Sequence, residues 1–490
     1  MRPKHTDILT GFFHNDESES KTLKSVQWYR AEYKRVDEYL NKHPEIFELA
    51  HRDLQKLCKP HPKKDRTPDF TSDHLFRAVL VMQIEALNYR ETTIRIAESR
   101  TLQNFCRLFD KETINHSLIC YAFKALSPDT WKAINQYFGK QMQQEGKITI
   151  ENIRTDTTVV ETNIHYPTDS SLLWDSFRTI DRLWQQALYI GLTTRLPDYR
   201  FHTKKVRKLY LDITRFANSK GKQRKRLVKK SYKLLIERTA EALVKAERIA
   251  SILLLSVHEA AIAIATELKS FLPAMTKVVD VARRRQAGED VPVGDKVFSI
   301  FEPHTELIQR GRRDKPIEFG HKILLSQTVE KFITEYEVFL KSPSDTKLLP
   351  KVLEQHHELF DEYPAGVAAD MGFRPEKEEF EKLKQEYKEV EYFGVPGRLR
   401  DLGDILMSTF QRWRAGIEGT ISCLKRAFRL SRCCFKGFSS FCSGVGSAIF
   451  CHNLLTMVRQ DMSPEWSQSK NAILLTTAWK VRLQGKEGDW

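Results

Sequence analysis

A run of β-branched residues at 148–164 constrains the fold of this chain more than any other segment. Ile, Val and Thr dominate it, and their branched side chains fit the pleated surface of a sheet better than a helix. The run therefore predicts a strand pair within a chain whose apolar residues otherwise follow mostly helical spacing. Further strand patterns, which extend the pair to a mixed sheet flanked by helices, lie at 297–301, 317–325, 367–369 and 390–395.

The length and the order of these patterns predict several domains. A chain of 490 residues exceeds what a single core normally holds. The predicted fold class is mixed α+β. We expect a helical and linker segment at 1–70, a helical domain at 71–146, a mixed α/β domain formed by 147–169 and 286–460, a basic helical insertion at 170–285, and a tail at 461–490.

The net charge of +15 favours an anionic partner, either nucleic acid or a membrane surface. Fifteen Lys and Arg lie between Arg195 and Lys233, opposed by only two Asp, which leaves a local charge of +13. A charge run is often just a solvated face, but this density is typical of contact with phosphates. We predict DNA binding by Lys204, Lys205, Arg207, Lys208, Lys222, Arg224, Lys225 and Arg226.

Two interpretations fit the helical domain at 71–146. It binds DNA as a helix-turn-helix unit through Arg90, Arg95, Arg100 and Arg107, or it is a plain bundle with solvated arginines. No base-reading helix can be chosen from the sequence.

The cysteines and the apolar segments indicate a cytoplasmic protein. None of the eight cysteines forms a CxxC pair, so a zinc ribbon is not expected. The chain opens on polar sequence instead of a secretory signal. The segment 437–458 has no Asp, Glu, Lys or Arg, but its Gly, Ser, His452 and Asn453 predict buried helix and turn instead of a membrane span.

Three carboxylates lie where a sheet and a late helix could bring them together. Asp156 sits inside the β-branched run, and Asp370 follows an apolar strand at its carboxyl end, where binding sites are common. Glu418 shares a helix face with Arg414 and Lys425, at i+4 and i+11 from the arginine. A turn Asp, a capping Asp and a solvated Arg–Glu pair are the ordinary alternatives. Together, however, the three carboxylates could hold two Mg²⁺ ions, which can cleave DNA.

Two glycines flank Glu418 within the predicted helix at 412–430. Gly416 and Gly419 each cost a helix roughly 1 kcal/mol relative to Ala. We interpret them as room for close approach by the sheet or by a nucleic-acid backbone.

With their spacing, these residues resemble a known family. Asp156, Asp370 and Glu418 look like the catalytic triad of bacterial insertion-sequence transposases of the Asp-Asp-Glu type, and 414–425 matches the Arg-x3-Glu-x6-Lys part of the Tyr-Arg-Glu-Lys signature. Gln411 stands where that signature has its tyrosine, and Trp413 is a candidate substitute. The segments 155–173 and 302–306 resemble a related, unclassified insertion-sequence group. The resemblance spans about 70–460.

The resemblance implies a fold, a chemistry and partners. The mixed domain would be an RNase H-like catalytic domain interrupted by the insertion. Asp156, Asp370 and Glu418 would be the catalytic residues and the ligands of two Mg²⁺ or Mn²⁺ ions, and Arg414 and Lys425 would hold phosphates. The partners would be double-stranded DNA, as terminal inverted repeats and target, and a second copy or more of the chain in a synaptic complex at the nucleoid.

Two other functions remain open. An RNase H-like endonuclease or resolvase would cut DNA without strand transfer. A non-catalytic protein derived from a transposase would bind DNA through the basic insertion without a metal.

Overall fold

The computed structural model describes residues 23–57, 69–109, 113–190, 196–309, 316–397 and 405–462. The predicted linker near residue 60 and most of the predicted tail lie outside these ranges. The described part is a mixed α/β protein, mostly helical, with a sheet of seven strands.

The helices, apart from short 3-10 turns, are α1 (Lys24–Lys42), α2 (Pro44–Leu54), α3 (Ser72–Ile84), α4 (Tyr89–Glu98), α5 (Arg100–Phe105), α6 (His116–Ala125), α7 (Pro128–Gln144), α8 (Asp169–Tyr189), α9 (Thr203–Phe216), α10 (Lys222–Leu254), α11 (Glu259–Gln286), α12 (Leu348–Phe360), α13 (Lys377–Glu386), α14 (Ile405–Arg414), α15 (Gly416–Ala427) and α16 (Phe438–Met462). The strands are β1 (Asn152–Thr162), β2 (Glu306–Gln309), β3 (Ile317–Thr328), β4 (Ile333–Val338), β5 (Gly366–Ala368), β6 (Tyr392–Gly394) and β7 (Arg432–Cys433).

The chain forms two compact units. The first combines Met1–Glu161 with His321–Trp490, and the second is Thr162–Gly320, which contains the predicted insertion. In the first unit the strand order is β3-β1-β5-β6, with β4 paired to β3 and β7 to β1. Strands β1, β5 and β6 run parallel, whereas β3 and β4 are antiparallel, so the sheet is mixed.

Two strand predictions are wrong. The run at 148–164 forms a single strand, β1, instead of a strand pair, because β1 continues without a turn through Asp156 in its middle. The segment 297–301 is not a strand. In the second unit the strand that pairs with the start of β3 is β2, with Glu306 opposite Gly320 in an antiparallel register.

The helical N-terminal part shares one hydrophobic core with the later helices of the first unit. Helix α16 packs against α7, α3 and α1, and its residues from Phe441 to Val458 are mostly buried. Among the described helices it alone is long and apolar enough to cross a membrane, and 89% of its apolar window is buried in the protein. Such burial is typical of a core helix, as the sequence predicted for this segment.

The core of the second unit is built by four helices, α8 to α11. Helix α10 packs against α8, α9 and α11, and small or aliphatic residues such as Leu235, Ala246 and Leu253 line its buried face. The fully buried face begins at Ser231; of the nine helical residues before it, the half-buried Val228 packs against this core and the other eight are exposed.

A buried ionic cluster holds the N-terminal helices together. Arg77 of α3 is fully buried and pairs with Asp37 and Asp73, each at 2.6 Å. Arg107 contacts the same two carboxylates at 3.0 Å and 3.4 Å. The prediction that Arg107 binds DNA is therefore wrong, because its side chain is only 5% exposed and already neutralised. Arg90, Arg95 and Arg100 are exposed.

Replacing Arg77 with Ala should destabilise the first unit strongly. The change leaves Asp37 and Asp73 buried without their main partner, and breaking a buried ion pair costs about 3–5 kcal/mol. The free energy of unfolding, measured by urea denaturation, reports this loss. The control Arg95→Ala, which removes an exposed arginine from a long 3.5 Å contact with the half-buried Glu85, should cost less than about 1 kcal/mol. Equal losses in the two variants would contradict the prediction.

Candidate active site

The parallel register of β1 and β5 places two carboxylates side by side. Asn152 lies opposite Gly366 and Arg154 opposite Ala368. Continuing this register by two residues puts Asp156 beside Asp370, and neighbouring strands are about 4.8 Å apart. Asp370 leaves the strand and caps a short 3-10 turn, where its Oδ1 accepts a hydrogen bond from the Gly372 amide at 2.9 Å.

The third carboxylate comes from α15. Glu418 lies in the first turn of this helix with a side chain that is 63% exposed, while Ile417, Thr420 and Leu424 are buried against the rest of the unit. Arg414, at the end of α14, bridges the two regions: its Nη2 lies 3.0 Å from Glu418 Oε1, and its Nη1 lies 3.3 Å from Asp156 Oδ2. The guanidinium thus links β1 to α15.

The electrostatics of Asp156 show that the three carboxylates are close neighbours. Burial is the largest cause that raises its pKa, to about 6, and the negative charge of Asp370 is the next. Glu418 adds to the rise, whereas the Thr157 amide and Arg414 oppose it. Asp156, Asp370 and Glu418, which are far apart in the sequence, therefore share one electrostatic environment.

Gln411 fixes the strand end that carries Asp370. Its Nε2 donates to the carbonyl oxygens of Ala369 at 3.0 Å and Gly394 at 2.6 Å, so α14 is tied to the ends of β5 and β6. The Gln411 amide group is uncharged, so it can donate to two backbone carbonyls without adding charge beside the carboxylates. The sequence singled out Gln411 only as a departure from the expected tyrosine.

Arg154 fixes the junction between α14 and α15. Its Nε donates to Gln327 Oε1 and its Nη1 donates to the Trp413 carbonyl, both at 2.7 Å. Gln327 in turn donates to Thr420 Oγ1 at 2.8 Å. Burial lowers the pKa of Arg154 to about 10. An arginine inside a β-branched run was the signal that could have identified this residue from the sequence.

The predicted single helix at 412–430 is wrong, since the chain breaks at Ala415 into α14 and α15. At this point Arg154 donates a hydrogen bond to the Trp413 carbonyl oxygen, and its guanidinium packs against Gly416. Gly416 therefore makes room for the sheet, one of the two approaches predicted from the sequence. No described atom lies within 4 Å of the Cβ position of Gly419.

Trp413, the candidate substitute for the tyrosine of that signature, is not at the surface. Its side chain is buried, with the Arg154 guanidinium 5.4 Å from the centre of its ring. A ring in this position packs α14 onto the sheet and is not presented to a DNA backbone.

The carboxylate site contains the oxygen ligands that a hard cation prefers, but its side chains are not arranged to hold one. Carboxylate oxygens are the ligands that Mg²⁺ prefers, and mutual repulsion in the cluster favours a bound cation. Within the described ranges, however, no three His, Cys, Asp or Glu side chains stand ready to hold a metal ion. Arg414 supplies the positive charge between Asp156 and Glu418.

The predicted DNA-binding residues lie in two places. Lys425 is in the last turn of α15, two turns beyond Glu418 and about 10 Å along the helix axis. The others lie on α9 and at the start of α10, and all are exposed: Lys204, Lys205, Arg207, Lys208, Lys222, Arg224, Lys225 and Arg226. None of these eight forms an ion pair with a carboxylate that the structure describes. Their charge is available to an anionic partner.

Comparisons with protein-family models, with curated proteins and with solved structures give no match.

Replacing Asp156 with Asn should stabilise the protein at alkaline pH. The pKa of Asp156 is raised to about 6, so folding is favoured by this group below pH 4, and that contribution is lost as the pH rises through 6. The neutral amide has no such loss, which predicts a gain of about 1–3 kcal/mol at pH 8 and none near pH 4. Urea denaturation in EDTA at both pH values tests this, with the exposed Glu376→Gln as control. A loss of stability at pH 8 would show that the Arg414 pair outweighs the repulsion.

The two glycines around Glu418 should respond oppositely to Ala. Gly416→Ala places a Cβ against the buried and doubly bonded Arg154, so we expect a loss of about 1–3 kcal/mol. Gly419→Ala meets nothing and improves helix propensity, which predicts a gain of up to about 1 kcal/mol. Thermal and urea unfolding of the two variants measures the contrast. If Gly416→Ala does not lower the free energy of unfolding, the Arg154 side chain moves freely away from the added Cβ.

Proposed function

We propose that this chain is a DNA transposase of the Asp-Asp-Glu type, which cleaves and joins strands at transposon ends with divalent metal ions. One observation carries the proposal: Asp156, Asp370 and Glu418 come from a central strand, its parallel neighbour and a late helix, and they share one electrostatic environment. Most carboxylates chosen by sequence pattern alone would not meet in this way.

The order of elements supports an RNase H-like catalytic domain. Leaving the second unit aside, the chain runs through β1, β3 and β4, and then alternates α12, β5, α13, β6 and α14. Three strands followed by alternating helices and strands are the pattern on which the resemblance of this domain rests. The second unit then interrupts the domain between its first two strands.

Asp156, Asp370 and Glu418 would hold the two Mg²⁺ or Mn²⁺ ions. When bound, such ions activate the attacking water or 3′-hydroxyl and stabilise the leaving 3′ oxygen. The chain's own groups prepare this site: Gln411 fixes the strand end before Asp370, and Arg154 fixes the start of α15. No covalent link between protein and DNA is part of the proposal.

Arg414 has a double role in the proposal. Without DNA its guanidinium neutralises Asp156 and Glu418, which reduces the repulsion within the cluster. With DNA and metal ions present, the same guanidinium is free to bind a phosphate oxygen, for which its planar fork is suited. Lys425, farther along α15, would contact the backbone as a point charge.

The exposed basic residues of α9 and α10 support double-stranded DNA as the partner. Six Lys and Arg lie in the first nine residues of α10, at a helix end whose dipole disfavours cations. Phosphates beside them would relieve both the dipole and the mutual repulsion. The proposal places the chain in the cytoplasm, at the nucleoid. Where two transposon ends are joined, the chain would act at least as a dimer.

Alanine at any of the three carboxylates should abolish metal-dependent DNA cleavage. We expect the rate to fall by more than about 100-fold in Asp156→Ala, Asp370→Ala and Glu418→Ala, since even outer-shell metal partners cost 10–100-fold. Binding of the terminal repeats, measured by electrophoretic mobility shift, should persist. Nicking of a labelled transposon end in Mg²⁺ measures the rate.

Glu376→Ala is the matched control, because this exposed carboxylate begins α13 only six residues after Asp370. Its nicking rate should equal that of the wild type. Full cleavage by any triad variant would refute the catalytic assignment. Supplying cut ends and target DNA separates the alternatives, because an endonuclease or resolvase cuts without joining.

The start of α10 should contribute to DNA affinity through counterion release. In Arg224→Ala/Arg226→Ala, two phosphate contacts are lost, so the slope of log K against log salt should become shallower by about 1.8. Fluorescence anisotropy with a duplex at several salt concentrations gives the slope. The control Lys269→Ala/Lys277→Ala removes the same charge from exposed positions of α11. If both variants change the slope equally, DNA does not lie along α10.

A further inference from the structure

The second unit contains a cavity of about 430 Å³ between α8, α9 and α10. This volume is in the range of small-molecule sites. Its lining residues come from the ends of the basic region and from the core beneath it, and they belong to the second unit alone.

The floor of the cavity is apolar. Phe177 and Phe201 are buried core residues whose ring centres are 6.0 Å apart, and Leu209 and Leu234 complete the apolar surface. A planar, weakly polar group can leave water here without stranding a buried donor or acceptor.

The rim of the cavity is cationic. Arg200, Lys205 and Lys245 form no ion pair with any carboxylate in the ranges that the structure covers, whereas Arg238 is paired with Glu241 at 2.9 Å. The ammonium of Lys245 donates to the backbone carbonyl of Arg200 at 3.3 Å, which ties α10 to the segment before α9 at this rim. This arrangement leaves three positive charges around one opening.

The first turn of α9 lies at the same opening. His202, which precedes the helix, has a left-handed backbone (φ 50°) and does not cap the helix with its side chain. Such a conformation is uncommon outside glycine. It starts the helix at the cavity and places Lys205 and Val206 of the first turn in the lining.

We propose that this cavity binds a nucleotide, with the base on the apolar floor and the phosphate among Arg200, Lys205 and Lys245. The shared chemistry is a phosphate ester that carries a planar ring. The nucleotide is either an unpaired residue of a DNA strand or a free mononucleotide. The site takes nucleic acid as its partner from the proposed function, but it needs neither the metal ions nor strand cleavage.

The test uses the full chain in EDTA and a single-stranded oligonucleotide with one 2-aminopurine. The fluorescence of this base should change on binding, and unlabelled single strand should reverse the change. In Arg200→Ala/Lys245→Ala we expect single-strand affinity to fall roughly tenfold or more, since two charge-assisted contacts are lost. Affinity for the matching duplex should change much less.

The matched control is Lys229→Ala/Lys230→Ala, which removes two exposed cations from α10 about 22 Å along the helix axis from Lys245. It should weaken single-strand and duplex binding to the same extent. All four side chains are at least partly exposed, so both variants should fold, and circular dichroism checks this.

Competitors distinguish the two sources of the nucleotide. Displacement of the oligonucleotide by dAMP, but not by inorganic phosphate at the same concentration, would indicate a site for free mononucleotides. Displacement by single strand alone would indicate an unpaired residue of a strand. If Arg200→Ala/Lys245→Ala weakens single-strand and duplex binding no differently from the control, the cavity is not a nucleotide site. Because no metal is present, this outcome is independent of whether the chain cleaves DNA.

Discussion

The parallel pairing of β1 with β5 is the constraint on which the candidate active site depends. It sets Asp156 and Asp370 at the same level of neighbouring strands, although 213 residues separate them in the sequence. Two carboxylates so placed repel each other, and burial strengthens the repulsion. The fold thus keeps two carboxylates in an electrostatically unfavourable position. Such positions are common in sites that bind cations or carry out chemistry.

The neighbouring groups hold this unfavourable arrangement in place. Gln411 ties the ends of β5 and β6 to α14, and Arg154 donates a hydrogen bond to the Trp413 carbonyl near the end of α14. Gly416 allows the guanidinium of Arg154 to lie against the start of α15. Each interaction acts on the backbone next to a carboxylate instead of on the carboxylate itself. The backbone that carries the acids is therefore held in place without a ligand, although within the described ranges the side chains do not form a ready-made metal site.

Much of this fold follows from local patterns in the sequence. The β-branched run predicts β1, the apolar triplet before Asp370 predicts β5, and the helical spacing at 348–360 predicts α12 with the observed bounds. The three carboxylates were also chosen from the sequence, because they lie within a strand, just after a strand or on a helix face.

What the sequence could not give is the set of long-range contacts. At the interruption between α14 and α15, the Trp413 carbonyl accepts a hydrogen bond from Arg154, a residue 259 positions earlier, and no helix propensity reveals this contact. The burial of Arg107 likewise depends on Asp37, which lies 70 residues away. Strand β2 was misplaced because its four residues carry a weak pattern and gain their register only from β3.

The first nine residues of α10 have a consequence for how the chain could meet a partner. They carry like charges, contribute only the half-buried Val228 to the core, and lie at the end of a helix where fraying is easiest. The helical conformation of this segment is therefore only weakly stabilised by the protein itself. Contact with a negatively charged surface would add stabilisation that core packing does not provide. A segment of this kind can search a wide volume while partly unwound and then become rigid on contact, so that capture and ordering are a single event.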